Sequence, residues 1–167
     1  MKLNIFFNIE EKFSNEIKNN FSDKDFQKIF FEIQKNIPKS KKNFSEKSDF
    51  FDEKEVNLFF VSDDEIQKLN KEFRGKDSAT DCLSFEKSDE DKNDEFDPVF
   101  GECFIAMPYI QHQAEEYGVS LKFEITKMMI HSILHLYGFD HIDDADFEEM
   151  NALENEIMES VKNEIKI

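Results

Sequence analysis

Residues 121–137, LKFEITKMMIHSILHLY, predict a helix that is apolar on nearly every face. Such a helix has to be buried on most of its sides. The remaining chain must therefore supply a sheet and further helices to enclose it. Ser120 suits its N-cap and Gly138 its stop. Yet this buried helix carries His131 and His135 one turn apart. The element that organises the core is also the one that bears the candidate chemistry.

The rest of the chain supplies what that helix needs. LNIFFNI (3–9), VNLFFVS (56–62), Thr80–Phe85 and Val99–Ala106 read as strands. Residues 22–37 place Phe26, Ile29, Phe30 and Ile33 at helical spacing, opening on Ser22 and closed by Pro38. Ser62-Asp63-Asp64-Glu65 is a capping box, and the helix it starts puts Ile66, Leu69 and Phe73 on one face before Arg74-Gly75 stops it. Pro108 begins a helix that runs to Tyr117, and a last helix covers Asp144 to Val161. The segments 38–55 and 86–97 are polar and charged: a surface connection and a solvated, hairpin-like excursion. There is no internal repeat. The expected fold is α+β, a small mixed four-stranded sheet covered by about five helices in a single layer pair. At 167 residues the chain is expected to form one domain, 1–167.

Composition narrows the setting. No apolar run approaches the roughly 20 residues that span a bilayer, and the N-terminus lacks the pattern of a signal peptide. The expected location is cytoplasmic, without a membrane partner. Cys82 and Cys103 are too few for a disulfide framework and are expected to be buried, inert thiols. The net charge is −17. Such a chain repels a phosphate backbone at long range. Nucleic-acid binding therefore requires a local basic patch, a bound cation or a recruiting protein partner.

Three of the four histidines lie in the eleven residues HSILHLYGFDH, 131–141. On a helix, His131 and His135 project from one face, about 6 Å apart along the axis. His141 would fall out of line on a straight helix. Gly138 can adopt the left-handed conformation that folds the chain back, returning His141 to the same point. Three neutral imidazoles suit one zinc per chain and leave a fourth position open, the mark of a catalytic site where water can be activated. The frame H-x-x-x-H-x-x-G-x-x-H matches the ligand spacing of metzincin proteases. Those enzymes place a glutamate general base after the first histidine. Here Ser132 stands there, which argues against peptide hydrolysis.

Other residues bear two readings each. Arg74 is the chain's sole arginine; its planar fork suits a phosphate, and it also suits a surface ion pair. Thr80 and Asp81 either line a cleft or form the turn before a strand, the turn being the better reading for Thr80. Ser84 serves to satisfy a backbone group. Asp140 could orient an imidazole or fill the fourth metal position. Asp143, Asp144 and Asp146 suit a helix N-terminus. His112 lacks ligand spacing and is expected at the surface. Lys39, Lys41 and Lys42 could touch RNA, a solvated loop being the better reading.

HSILHLYGFDH resembles the H-G-x-L-H-L-x-G-Y-D-H signature of the YbeY-type endoribonucleases of bacteria. LNKEFRGKDSATDCLSF (69–85) is similar to that family's L-N-x-x-[FY]-R-x-x-x-x-x-T-D-V-L-S-F segment, and GECFIA (101–106) and EEMNALENEIM (148–158) also resemble it. These matches cover the C-terminal two thirds; the N-terminal third has no matched motif. The resemblance implies a zinc-dependent endoribonuclease acting on single-stranded RNA, with a role in small-subunit rRNA 3′-end maturation and ribosome quality control. It implies metal ligands His131, His135 and His141 and a functional Arg74, with an rRNA precursor and ribosomal proteins as partners and no DNA substrate. Ser132, Phe139, Cys82 and Glu102 depart from the usual Gly, Tyr, Val and Asp, and Glu86 stands where Pro is common. These departures bear on substrate preference. The alternative is a non-catalytic, zinc-stabilised ribosome assembly factor, whose docking on basic ribosomal proteins would suit the acidic charge.

Overall fold

A computed structural model of the chain describes residues 1–38, 54–87 and 97–167. The elements run β1 (Lys2–Asn8), α1 (Glu11–Asn20), α2 (Asp23–Asn36), β2 (Glu55–Val61), α3 (Asp63–Arg74), β3 (Cys82–Glu86), β4 (Val99–Ala106), α4 (Met107–Tyr117), α5 (Leu121–Leu136) and α6 (Asp144–Glu164). The four strands form one mixed sheet in the order β1-β2-β4-β3. β1 and β4 are parallel to β2, and β3 is antiparallel to β4. The architecture is the expected α+β.

Strand alternation divides the sheet into two faces. Leu3, Leu58, Phe60, Cys103 and Ile105 point into the main core, where α2, α5 and α6 pack. Val61, Leu83 and Ala106 point the other way and meet Ile66 of α3. Helix α5 explains its own composition: it touches β3, β4, α2, α4 and α6, so ten of its sixteen residues are buried. Beyond its first turn, the positions left open to solvent are Lys127, His131 and His135, one stripe at four-residue spacing.

Gly101 lets α5 approach this closely. A Cβ there would lie 2.8 and 3.0 Å from the two methyls of Leu136 and 3.2 Å from the carbonyl of Phe85. Leu136 is itself fully buried, so its methyls cannot swing out into solvent without moving neighbours. Gly101→Ala is therefore expected to destabilise the fold by about 1–3 kcal/mol through overpacking. Denaturant unfolding checks this; an unchanged midpoint would show that α5 can slide outward at no cost.

The caps largely follow the sequence. Ser22 forms both halves of a capping box with Asp25. At Ser62 one half forms, the Glu65 N–H donating to its hydroxyl at 3.3 Å. Ser120 accepts from the Phe123 N–H, and Asp143 from those of Ala145 and Asp146. Two features differ from expectation. Residues 11–20 form a sixth helix, with Ile17 fully buried. Its apolar positions are few and Glu10 offers no side-chain cap, so the usual start signals are missing. Phe73 is 60% exposed rather than in the core. It sits in the last turn of α3 above the edge strand β3, where the sheet offers nothing on the far side.

Cys82 and Cys103 are free and buried, as expected. Burial pushes the Cys103 thiol up to about 12, partly opposed by hydrogen bonds with Ser132 and Ser84. Among the described residues, no helix is long and apolar enough to cross a membrane. The lysines at 39, 41 and 42, most of the 38–55 connection and the 88–96 part of the charged excursion lie outside the described residues. An ion pair between Lys87 and Asp97 joins the two ends of that excursion.

Candidate metal centre

Helix α5 ends in a turn that builds the site. Gly138 takes a φ of +79°, which a side chain would resist. Its N–H bonds the His135 carbonyl, and the Phe139 N–H bonds that of Leu134. The chain thereby reverses. The reversal brings the His141 ring to 5.6 Å from that of His131 and 5.2 Å from that of His135. One ring nitrogen from each of the three histidines lies within 4.8 Å of the others, and the cluster could hold a metal ion.

The hydrogen bonds fix which nitrogens face inward. His131 Nδ1 lies 2.6 Å from Glu154 Oε1, and His135 Nδ1 lies 2.9 Å from the Phe139 carbonyl oxygen. A carboxylate and a carbonyl only accept, so each Nδ1 carries the proton and donates. The Nε2 atoms then present lone pairs, and they lie 3.2 Å apart. Two converging lone pairs repel unless a cation sits between them. Burial, and after it repulsion from His131, hold the His135 pKa below the usual imidazole value. The neutral form that a metal requires is the favoured one. The donor set and its protonation thus fit a divalent metal.

Glu154 did not stand out as a single residue in the sequence. It lies 23 residues from His131, on α6, and only the packing of α6 against α5 brings it to the imidazole. The EEMNALENEIM segment that contains it was the available signal. Asp140 is exposed and lines the cleft beside the histidines. Its Oδ1 accepts the backbone N–H of His141 at 2.8 Å, which pins the returning turn. Ser132 is fully buried, its hydroxyl donating to the Met129 carbonyl. His112 is exposed on α4, away from the cluster.

The three histidines share a cleft of about 900 Å³ with Arg74, Lys76, Thr80, Asp81 and Ser84. Arg74 ends α3, and Gly75, at φ +69°, turns the chain away. The loop after it is held by Asn70, whose Nδ2 donates to the Ser78 carbonyl. Asp77, the nearest acidic residue in the loop, accepts from Lys71 and Gln67. Asp81 accepts from the Thr80 hydroxyl and the Cys82 N–H, so Thr80 and Asp81 form the turn and line the cleft as well. Ser84 donates to the Ser132 carbonyl. Arg74 is left exposed, without an ion pair or hydrogen bond to any described residue.

Known proteins share this arrangement of sequence. The profile of the family described as Endoribonuclease YbeY matches residues 12–162, which takes in most of the N-terminal part that carried no recognisable motif. The Endoribonuclease YbeY of Bacillus pumilus is 40% identical over 115 residues, covering 65% of this chain and 72% of that protein. The Desulforamulus reducens protein of the same name is 41% identical over 108 residues, covering 63% and 71%. The solution structure of TM1509 from Thermotoga maritima superposes with a TM-score of 0.60 at 28% identity, over 97% of this chain and 90% of that one. The chain belongs to the Endoribonuclease YbeY family.

Proposed function

We propose that this chain is a zinc-dependent endoribonuclease, a single domain over residues 1–167, that cuts single-stranded RNA in the cytoplasm. Its substrate is an rRNA precursor, and its place is small-subunit 3′-end maturation and ribosome quality control. One observation supports this above the rest: the two imidazole lone pairs converge in the same cleft as an arginine with no partner among the described residues. The names of the relatives supply the substrate class.

His131, His135 and His141 would hold one zinc. When bound, a divalent metal supplies Lewis acidity and activates water at neutral pH. Glu154 and the Phe139 carbonyl keep the two helical imidazoles in the tautomer that turns Nε2 toward the ion. Arg74 binds the phosphate through its fork and offsets the charge that develops on its oxygens. Arg74, with Lys76 beside it, also supplies a local positive charge in a chain of net −17.

The rival reading, a non-catalytic assembly factor with zinc as a staple, draws on the same acidic charge. It is better served by a closed site with four protein ligands. The cluster holds three, and Asp140 is turned to the backbone. The test is cleavage of single-stranded RNA by untagged protein. Activity is expected to vanish on chelation and to return with one equivalent of zinc. Stoichiometric zinc with no cleavage of any RNA would sink the nuclease and favour the staple.

A further inference from the structure

Phe73 breaks the rule that large apolar side chains on an amphipathic helix face the core. It is 60% exposed, it precedes Arg74 in sequence, and it lines the same cleft as Arg74 and the three histidines. A lone exposed phenylalanine on a surface needs no explanation. This one is held in place. Its ring meets Phe85 at 4.8 Å and 63°. Phe85 in turn meets Phe104 at 5.6 Å and 81°. Phe104 stacks on Phe59, and Phe59 on Phe6, each at 4.7 Å. The row crosses all four strands and ends at the cleft.

The rings differ in what they have left to offer. Phe59 is sandwiched, with both faces covered by near-parallel neighbours. Among the described residues Phe73 makes one angled ring contact, which occupies at most one face of its ring. Among the described residues nothing stacks on the other face, and the guanidinium beside it has no partner. An open aromatic face next to a phosphate-binding fork fits one nucleotide, with its base on the ring and its phosphate on the arginine.

Charge makes the same demand. At −17 the chain gains little from diffuse attraction to a phosphate backbone. Among the described residues, only Lys76 besides Arg74 brings a fixed positive charge to the cleft. Affinity for a single strand must then come in large part from contacts that are not ionic, and stacking is the one that tolerates any base.

The geometry points to Phe73 as a stacking platform for one unpaired nucleobase of the RNA, adjoining the phosphate held by Arg74. This rests on the endoribonuclease reading above. The platform fixes the register of the strand in the cleft and so helps to choose the bond that is cut. Phe85 is a positioning residue that sets the angle of the ring.

The test walks a single abasic ribose along a single-stranded oligoribonucleotide, across the bond that the protein cuts. With the zinc-loaded wild type, one position, or two adjacent ones, should raise KM by roughly 5- to 150-fold, the range for loss of one stacked base. Phe73→Ala should raise KM for the intact strand by a similar factor, with kcat changed less, and its abasic profile should be flat. Phe73→Tyr and Phe73→Trp should restore both; Phe73→Leu, apolar but without a π face, should not. Thermal unfolding of each variant should stay near wild type, because the side chain is exposed. A Phe73→Ala profile that keeps the wild-type dip, or a Phe73→Leu variant that matches wild type, would overturn the inference while the nuclease stands. A wild type that binds the labelled strand without cutting it would overturn the nuclease alone, with the same scan then read as Kd. A wild type that neither binds nor cuts would overturn both.

Discussion

His135→Ala is expected to reduce bound metal from about one per chain to a small fraction and to bring RNA cleavage to background. His135 meets both of the other histidines: its Nε2 faces that of His131 at 3.2 Å, and its ring lies 5.2 Å from His141. Removing it leaves two ligands, one of them on an exposed turn, and two imidazoles hold a divalent ion poorly. The fold should survive, since alanine is the best helix former and His135 lies on the open stripe of α5. The loss would then belong to the site. Glu154→Gln gives the graded control. It keeps an acceptor near His131 Nδ1 but removes the charge, and changes of this kind cost about 10- to 100-fold in metal affinity. Excess zinc should rescue Glu154→Gln and leave His135→Ala inactive. Metal analysis and cleavage rates on the same samples decide it. Cleavage that persists in a metal-free His135→Ala preparation would remove the metal from the mechanism.

The order in which these residues could be found follows from how local their signals are. His131, His135, Gly138 and His141 lie on one helix and one turn, so spacing and a single left-handed glycine bring them together. The composition of α5 was equally legible, because a helix apolar all round has to be enclosed, and the sheet and helices that enclose it have clear periods of their own. Glu154 is different. Its role depends on how α6 lies against α5, which is a matter of packing between elements and leaves no local pattern. Phe73 misled for a related reason. Helical spacing sets it in line with Ile66, but it does not say that the sheet ends beneath the last turn of α3. Residues 11–20 stayed hidden because the apolar pair Phe13 and Ile17 was too short a pattern to stand out without a cap. What the sequence withheld was tertiary in each case but that last one.

Arg74→Ala is expected to lower kcat/KM for single-stranded RNA by about 10²- to 10³-fold, the usual cost of deleting one preorganised charge-stabilising group. The metal content should stay at the wild-type value, because Arg74 lies across the cleft on α3 and bonds to none of the histidines. That pairing separates it from His135→Ala, where metal and activity fall together. The fold should not suffer either. The arginine is exposed and has no described partner, so its removal leaves no charge buried and no acceptor unmet. Arg74→Lys is the informative second variant. Lysine keeps the charge but loses the planar fork, so it should recover only part of the lost rate if the arginine grips two phosphate oxygens at once. Full recovery would mean that a point charge suffices and that the fork has no special role. An Arg74→Ala variant with wild-type kinetics would show that the phosphate is held elsewhere, with Lys76 as the other fixed positive charge in the cleft among the described residues. The absence of a partner for Arg74 among the described residues would then have no bearing on catalysis. A side chain ordinarily gains from pairing with one of the chain's 38 carboxylates, and this one is turned instead toward the cleft that holds the histidines.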